Sequence, residues 1–137
     1  MSTLPHPAPA LPKGVPGSLK KRRLLNERDL SPELCREYGE KFLALGWWED
    51  ALEFFQKAGD TQGLEKIKNH CLETGDAYLL ARLGVRQEPK IWRQVAERAL
   101  DLGKLRFARR AYEQAGDPDK AAMLDGLIAG AGTEVED

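Results

Sequence analysis

Residues 38–60 read YGEKFLALGWWEDALEFFQKAGD, and residues 95–117 read VAERALDLGKLRFARRAYEQAGD. A shift of 57 residues lays Glu40, Leu45, Gly46, Ala51, Ala58, Gly59 and Asp60 on Glu97, Leu102, Gly103, Ala108, Ala115, Gly116 and Asp117, and Phe55 on Tyr112. Self-similarity at a fixed period of about 20 to 50 residues is the signature of stacked repeats. Gly75 falls 29 residues after Gly46 and 28 before Gly103, so the unit is a helix pair of about half the shift. This spacing predicts three hairpins and a closing helix, with Gly46, Gly75 and Gly103 in the turns within the hairpins.

Outward from these stretches, the helix boundaries are written in the chain. Ser31-Pro32-Glu33 supplies a capping hydroxyl, a proline where no amide is needed, and a carboxylate at the positive end of the dipole. Leu34, Tyr38, Phe42 and Leu45 recur on one stripe, and Gly46 follows as a left-handed stop. Trp48, Ala51, Leu52, Phe55 and Ala58 form the next stripe before Gly59. Leu64, Ile67, Cys71 and Leu72 precede Gly75, and Ala77 to Leu83 precede Gly84. Trp92, Val95, Ala96, Ala99 and Leu102 precede Gly103, and Leu105, Ala108, Ala111, Tyr112 and Ala115 precede Gly116. A seventh helix opens at Asp117-Pro118 and carries Leu124, Leu127 and Ile128. No stretch shows sustained alternation, so the expected class is all-α.

The repeats occupy residues 31–129 of 137. Residues 1–30 hold Pro5, Pro7, Pro9, Pro12 and Pro16 ahead of the basic run Lys20, Lys21, Arg22 and Arg23, and are expected to be an extended, mobile tail, because proline lacks the amide donor of regular structure. Residues 130–137 are small and acidic and are expected to fray. Hydrophobic residues make up 42% and charged residues 31%, a globular balance. The net charge of −1 hides a gradient, +4 over residues 1–30, −3 over 31–90 and −2 over 91–137. A mildly acidic body is a poor match for nucleic acid, which leaves any such contact to the tail. No apolar run approaches the roughly 18 residues of a spanning helix, and prolines stand where a signal peptide has its apolar stretch, so a soluble, cytoplasmic protein is expected. Cys35 and Cys71 fall in helical patterns and read as buried free thiols of a reducing compartment.

The hairpins resemble the tetratricopeptide repeat. The first runs Tyr38-Gly39-x2-Phe42-x3-Gly46-x4-Ala51-x3-Phe55-x2-Ala58, and the third runs Val95-Ala96-x2-Ala99-x3-Gly103-x4-Ala108-x3-Tyr112-x2-Ala115, with Trp92 where the family has its leading tryptophan. The middle hairpin departs, with Lys68, Leu80 and Gly84 at the small, small and aromatic positions, and the units of 28 to 29 residues are shorter than those of the family. The resemblance implies a right-handed α-solenoid of three antiparallel hairpins plus a C-terminal capping helix. It also implies that the first helix of each hairpin lines a concave peptide groove. The outward positions are then Glu33, Arg36, Glu37, Glu40 and Leu43 in the first hairpin, Gln62, Glu65, Lys66, Asn69 and Leu72 in the second, and Lys90, Arg93, Gln94, Glu97 and Leu100 in the third. Leu43, Leu72 and Leu100 occupy equivalent places and either line the groove or pack against adjacent helices. Arg36/Glu40 and Arg93/Glu97 are spaced for local i, i+4 pairing.

Chemistry-bearing groups do not converge. His6 lies among the prolines and His70 adjoins Cys71, short of the three or four ligands of a zinc site and of any nucleophile held against a base. No cofactor, metal or small-molecule substrate is expected, and the chain reads as a non-enzyme. Trp48 matches Leu105 and is expected in the core, whereas Trp47 matches Lys104 and is expected on the surface, where tryptophan is a common anchor of interfaces. Phe54 and Phe55 are adjacent, about 100° apart on a helix, so one is expected to face outward, and Trp47 with Phe54 would flank a contact surface for the tail, a second copy or a partner. Asp119, Lys120 and Asp125 give the closing helix its expected polar side. The leading expectation is a non-catalytic scaffold or adaptor that binds a peptide or partner protein. The alternative is an accessory protein that holds nucleic acid or an anionic surface through Lys20 to Arg23 and Arg28.

Overall fold

The helix signals lead to helices at almost every place they mark. The structure, a computed structural model, describes residues 14–136, with side chains from 14 to 130. Among these residues there are eight helices and no strand. Two compact units divide the chain, one ending at Asp60 and the other beginning at Thr61. None of the helices is long and apolar enough to cross a membrane.

The first unit contains α1 (Ser18–Asn26), α2 (Pro32–Ala44) and α3 (Trp48–Ala58). Ser31 Oγ accepts the Leu34 amide at 3.1 Å, and Pro32 occupies the first turn of α2, as the Ser-Pro-Glu signal requires. Gly46 has φ +75°, and the Trp47 amide donates to the Phe42 carbonyl at 3.0 Å, so a three-residue turn brings α3 back onto α2. The interface buries Cys35, Gly39 and Phe42 from α2 and Ala51, Leu52, Phe54 and Phe55 from α3. Each phenylalanine removed from water this completely contributes roughly 1.5–3 kcal/mol.

Three expectations fail in this unit. Residues 18–26 form α1 where an extended tail was expected: the prolines stop at Pro16, and SLKKRRLLN consists largely of good helix formers. Residues 1–13 of that tail lie outside the described residues. Phe54 does not face outward, since both Phe54 and Phe55 are fully buried. α2 accommodates both, because Tyr38 and Phe42 meet the Phe54 ring at centroid distances of 5.3 and 5.6 Å, while Gly39 leaves room for the ring of Phe55. Trp48, expected in the core, is only half-buried.

The second unit contains α4 (Thr61–Thr74), α5 (Ala77–Ala81), α6 (Pro89–Asp101), α7 (Leu105–Gln114) and α8 (Pro118–Glu136). Its core is Ile67 and Cys71 from α4, Leu79 and Leu80 from α5, Trp92, Val95, Ala96 and Ala99 from α6, Ala108, Ala111 and Tyr112 from α7, and Leu124 from α8. α4 packs on α6, α5 on α7, α6 on α7 and α7 on α8. Gly75 lets two segments of backbone approach closely, since a Cβ there would lie 2.6 Å from the Ala99 Cα. Lys104 Nζ and Arg98 Nε donate to the Thr74 and Glu73 carbonyls, each at 2.7 Å, and so satisfy the free C-terminal end of α4. Asp117 Oδ1 accepts the Lys120 amide at 3.2 Å and caps α8, the echo of Ser31 that the repeat predicts.

Three details differ from expectation here. The helix expected from Ala77 to Leu83 stops at Ala81, and Leu83, though outside it, stays buried. α8 continues to Glu136, through most of the stretch expected to fray. Its outer side is also not wholly polar, because Met123 and Leu127, one turn apart, are both more than half exposed.

Candidate functional site

Trp47 stands at the tight turn between α2 and α3, with φ −92° and ψ +75°, just ahead of the first turn of α3. Its ring stacks on Phe42 at a centroid distance of 5.7 Å and 26° between planes, yet 41% of the residue remains accessible. Phe42 is itself part of the buried stack with Phe54, so the tryptophan is held from beneath and offered outward. Leu45, on the same turn, is also exposed. The predicted Trp47–Phe54 surface therefore reduces to Trp47 with Leu45, and Phe54 serves as its buried support.

On α2, Arg36 and Glu40 line a shallow depression with Glu33, Glu37 and Lys41. Arg36 Nε approaches the Asp60 carboxylate at 3.3 Å; the sequence placed its partner one turn along, at Glu40. Asp60 is buried, so Arg36 offsets the cost of withdrawing that carboxylate from water. Leu43, Leu72 and Leu100 are each half-buried, and Asn69, Arg93 and Glu97 are exposed, as is Lys66.

The basic run sits on α1. Lys21 Nζ reaches two carboxylates of α3, Asp50 and, at 2.8 Å, Glu53. Partial burial lowers the Lys21 pKa, but the hydrogen bonds and attraction of the two carboxylates outweigh it and hold the group above its ordinary value. Lys20, Arg22 and Arg23 are exposed. The four cations are thus not one patch: the first turn of the helix spends one of them as a clasp.

The chain matches no family model, no curated protein and no solved structure.

Neither cysteine is set up as a nucleophile. Both are free and buried, burial pushes the Cys35 thiol up against the counteracting Lys57, and burial with Asp76 nearby pushes Cys71 up to about 12. A thiol so placed stays protonated near neutrality, and the thiolate is the reactive form. Burial also lowers the pKa of His70, against the opposing pull of Asp76 and Glu73. Among the described residues, no cluster of three or more His, Cys, Asp and Glu is placed to hold a metal ion.

The second unit carries a feature that the sequence did not announce. An open cleft of about 580 Å³ lies between the first turns of α4, the link 82–88 and the start of α6. Leu64, Leu83, Val85 and Ile91 supply its apolar surface, and Val85 is 64% exposed. The link is shaped by Gly84, at φ +74°, and by Gln87 Nε2, which donates to the Val85 carbonyl at 3.2 Å. Pro89 then starts α6 directly after it. Of the outward positions named from the sequence, Glu65 and Lys90 border this cleft, whereas Lys66, Asn69, Leu72, Arg93, Glu97 and Leu100 do not. One signal was available: residues 82–88 form the longest link between helices among the described residues, and an apolar valine sits in the middle of it.

Proposed function

We propose that the chain is a non-catalytic interaction module, a short tetratricopeptide-like solenoid that docks a peptide or a partner protein, working as a scaffold or adaptor. The solenoid part of this reading is supported by the order of packing in residues 61–137, where α4 meets α6 and α5 meets α7. First helix on first and second on second is the arrangement that stacked hairpins produce. Cytoplasmic residence fits the two free, buried thiols.

The docking part rests on Trp47. An aromatic ring held by a buried stack and left 41% accessible has lost conformational freedom before any partner arrives, which lowers the cost of binding. Leu102, at the turn equivalent to that of Leu45, is 44% exposed, so exposed apolar residues recur at corresponding turns of the repeat. The test compares wild type with Trp47→Ala in sedimentation of the purified chain and in quantitative capture of partners from cells that express it. Loss of more than about 1 kcal/mol of association with an unchanged melting temperature is the expected outcome for an interface anchor. Unfolding of the variant, with association tracking the folded fraction, would make Trp47 a core residue and remove the surface.

A second reading, contact with nucleic acid or an anionic surface through α1, draws on the exposure of Lys20, Arg22 and Arg23. Lys21 is already engaged by Asp50 and Glu53, which weakens it. Steep loss of binding with rising salt distinguishes this reading from an apolar contact.

A further inference from the structure

The cleft between α4, the link 82–88 and α6 has a chemistry of its own. Three cations border it, Lys68 from α4, Arg86 from the link and Lys90 from α6, against two carboxylates, Glu65 and Glu88. Glu88 Oε2 and Lys90 Nζ lie 3.4 Å apart and largely neutralise each other. Among the described residues neither Lys68 nor Arg86 has an ion-pair partner, which leaves two uncompensated cations against the single carboxylate of Glu65. These cations come from different elements and border the same apolar surface of Leu64, Leu83, Val85 and Ile91. An apolar floor with a small cationic excess at the rim combines the two terms of peptide recognition, a desolvated anchor and a charge that fixes orientation. A polyphosphate fits poorly, because Glu65 and Glu88 face the same space and the excess is only one charge.

We propose that this cleft is a docking site for a segment of a partner protein that presents an apolar side chain next to carboxylates. The proposal rests on the reading of the chain as an interaction module, and it names a second site and the chemistry of its occupant. The apolar side chain lies against Leu64, Leu83, Val85 and Ile91, and a neighbouring carboxylate meets Lys68 and Arg86. The wall that the link contributes carries the Gln87 Nε2 to Val85 carbonyl hydrogen bond and the buried Leu83.

Titration of the full-length, ¹⁵N-labelled chain with blocked hexapeptides provides the test. The acidic probe is Gly-Asp-Leu-Leu-Glu-Gly; a neutral probe carries Asn and Gln in place of the acids, and a basic probe carries Lys at both places. The acidic probe is expected to shift amide resonances over residues 61–68 and 83–91, and to bind about tenfold more tightly than the basic probe, within the range of charge effects at partly desolvated contacts. Reversal of both free cations, Lys68→Glu with Arg86→Glu, should invert that order in a variant that remains folded. Arg86 is exposed and Lys68 half-buried, so the exposed Arg86→Glu change alone, which should narrow the preference without a change in the melting temperature, serves as the second variant. Equal affinity of the three probes, shifts confined to other residues, or no shift at about 5 mM probe, far above useful peptide affinities, would each overturn the proposal. Association that still depends on Trp47 in that event would leave the interaction-module reading standing and remove only this site.

Discussion

Replacement of Gly39 by Ala tests the α2–α3 interface at its tightest point. Alanine is the better helix former by about 1 kcal/mol, so on propensity alone the variant should be more stable. The structure reverses that sign. A Cβ at Gly39 would lie 2.5 Å from Phe55 Cε1, 2.7 Å from Cδ1 and 3.1 Å from Cζ, whereas carbon atoms rest comfortably at roughly 3.5–4.0 Å. The ring would have to withdraw by about 1 Å, and Phe55 is fully buried with no open side to move into. Overpacking of this kind costs about 1–3 kcal/mol, and three ring atoms in violation place it toward the upper end. Offset by the propensity gain, the expected net loss is about 1–2 kcal/mol. Urea unfolding followed by tryptophan emission in a Trp92→Phe background reports on Trp47 and Trp48, and so on the first unit. Pairing the change with Phe55→Leu should recover at least about 0.5 kcal/mol relative to additivity, because the smaller side chain vacates the contested space. A Gly39→Ala chain as stable as wild type or more so would show that the Phe55 ring does not lie over Gly39, and the account of how α2 receives two adjacent phenylalanines would fall with it.

Three further outcomes follow from the same packing. Gly46 and Gly75 both have positive φ, but a Cβ meets nothing within 4 Å at Gly46 and meets the Ala99 backbone at 2.6 Å at Gly75. Gly46→Ala should therefore cost only the left-handed strain of about 1–2 kcal/mol, and Gly75→Ala, where a backbone cannot yield, should exceed it by roughly 2 kcal/mol in the same denaturation series. Cys35 and Cys71 should react with an aromatic disulfide reagent at pH 8 only at the rate of unfolding; fast labelling of the native chain would contradict their burial and the raised pKa of Cys71, about 12. The lowered pKa of His70 gives stability that is fully present above the unfolded value of about 6.5 and is lost as the pH falls below it, because the unfolded chain then binds the proton more readily. His70→Gln should flatten the fall of denaturation midpoint between pH 7 and 5, and an unchanged slope would show that the imidazole is as solvated as in the unfolded chain.

The repeat at 57 residues, the glycines that end helices and the Ser31-Pro32 and Asp117-Pro118 signals are local, and local signals survive in sequence because their physics acts over a few residues of backbone. Trp47 is exposed, as its register against Lys104 suggests, although Lys104 itself is half-buried with its Nζ on the Thr74 carbonyl. α1 follows five prolines that lie before residue 17, and its own nine residues contain none, so the composition of residues 1–30 as a whole masks a short helical stretch. Lys21 could not be paired with Asp50 and Glu53 from the chain alone, since a cation 29 residues away from its partner leaves no periodic trace.

Fold class, helix number to within one, and the identity of the turn glycines were thus determined by sequence, because hydrogen bonds between near neighbours and the period of apolar residues decide them. Tertiary structure alone decided that both Phe54 and Phe55 turn inward, since that depends on whether the facing helix offers a ring or a gap, and Gly39 is the gap. It alone also formed the cleft at residues 82–88, where Leu64, Val85 and Ile91 meet Lys68 and Arg86 from three separate segments. A concave surface of that kind is a property of how segments pack against each other, and no single segment carries it.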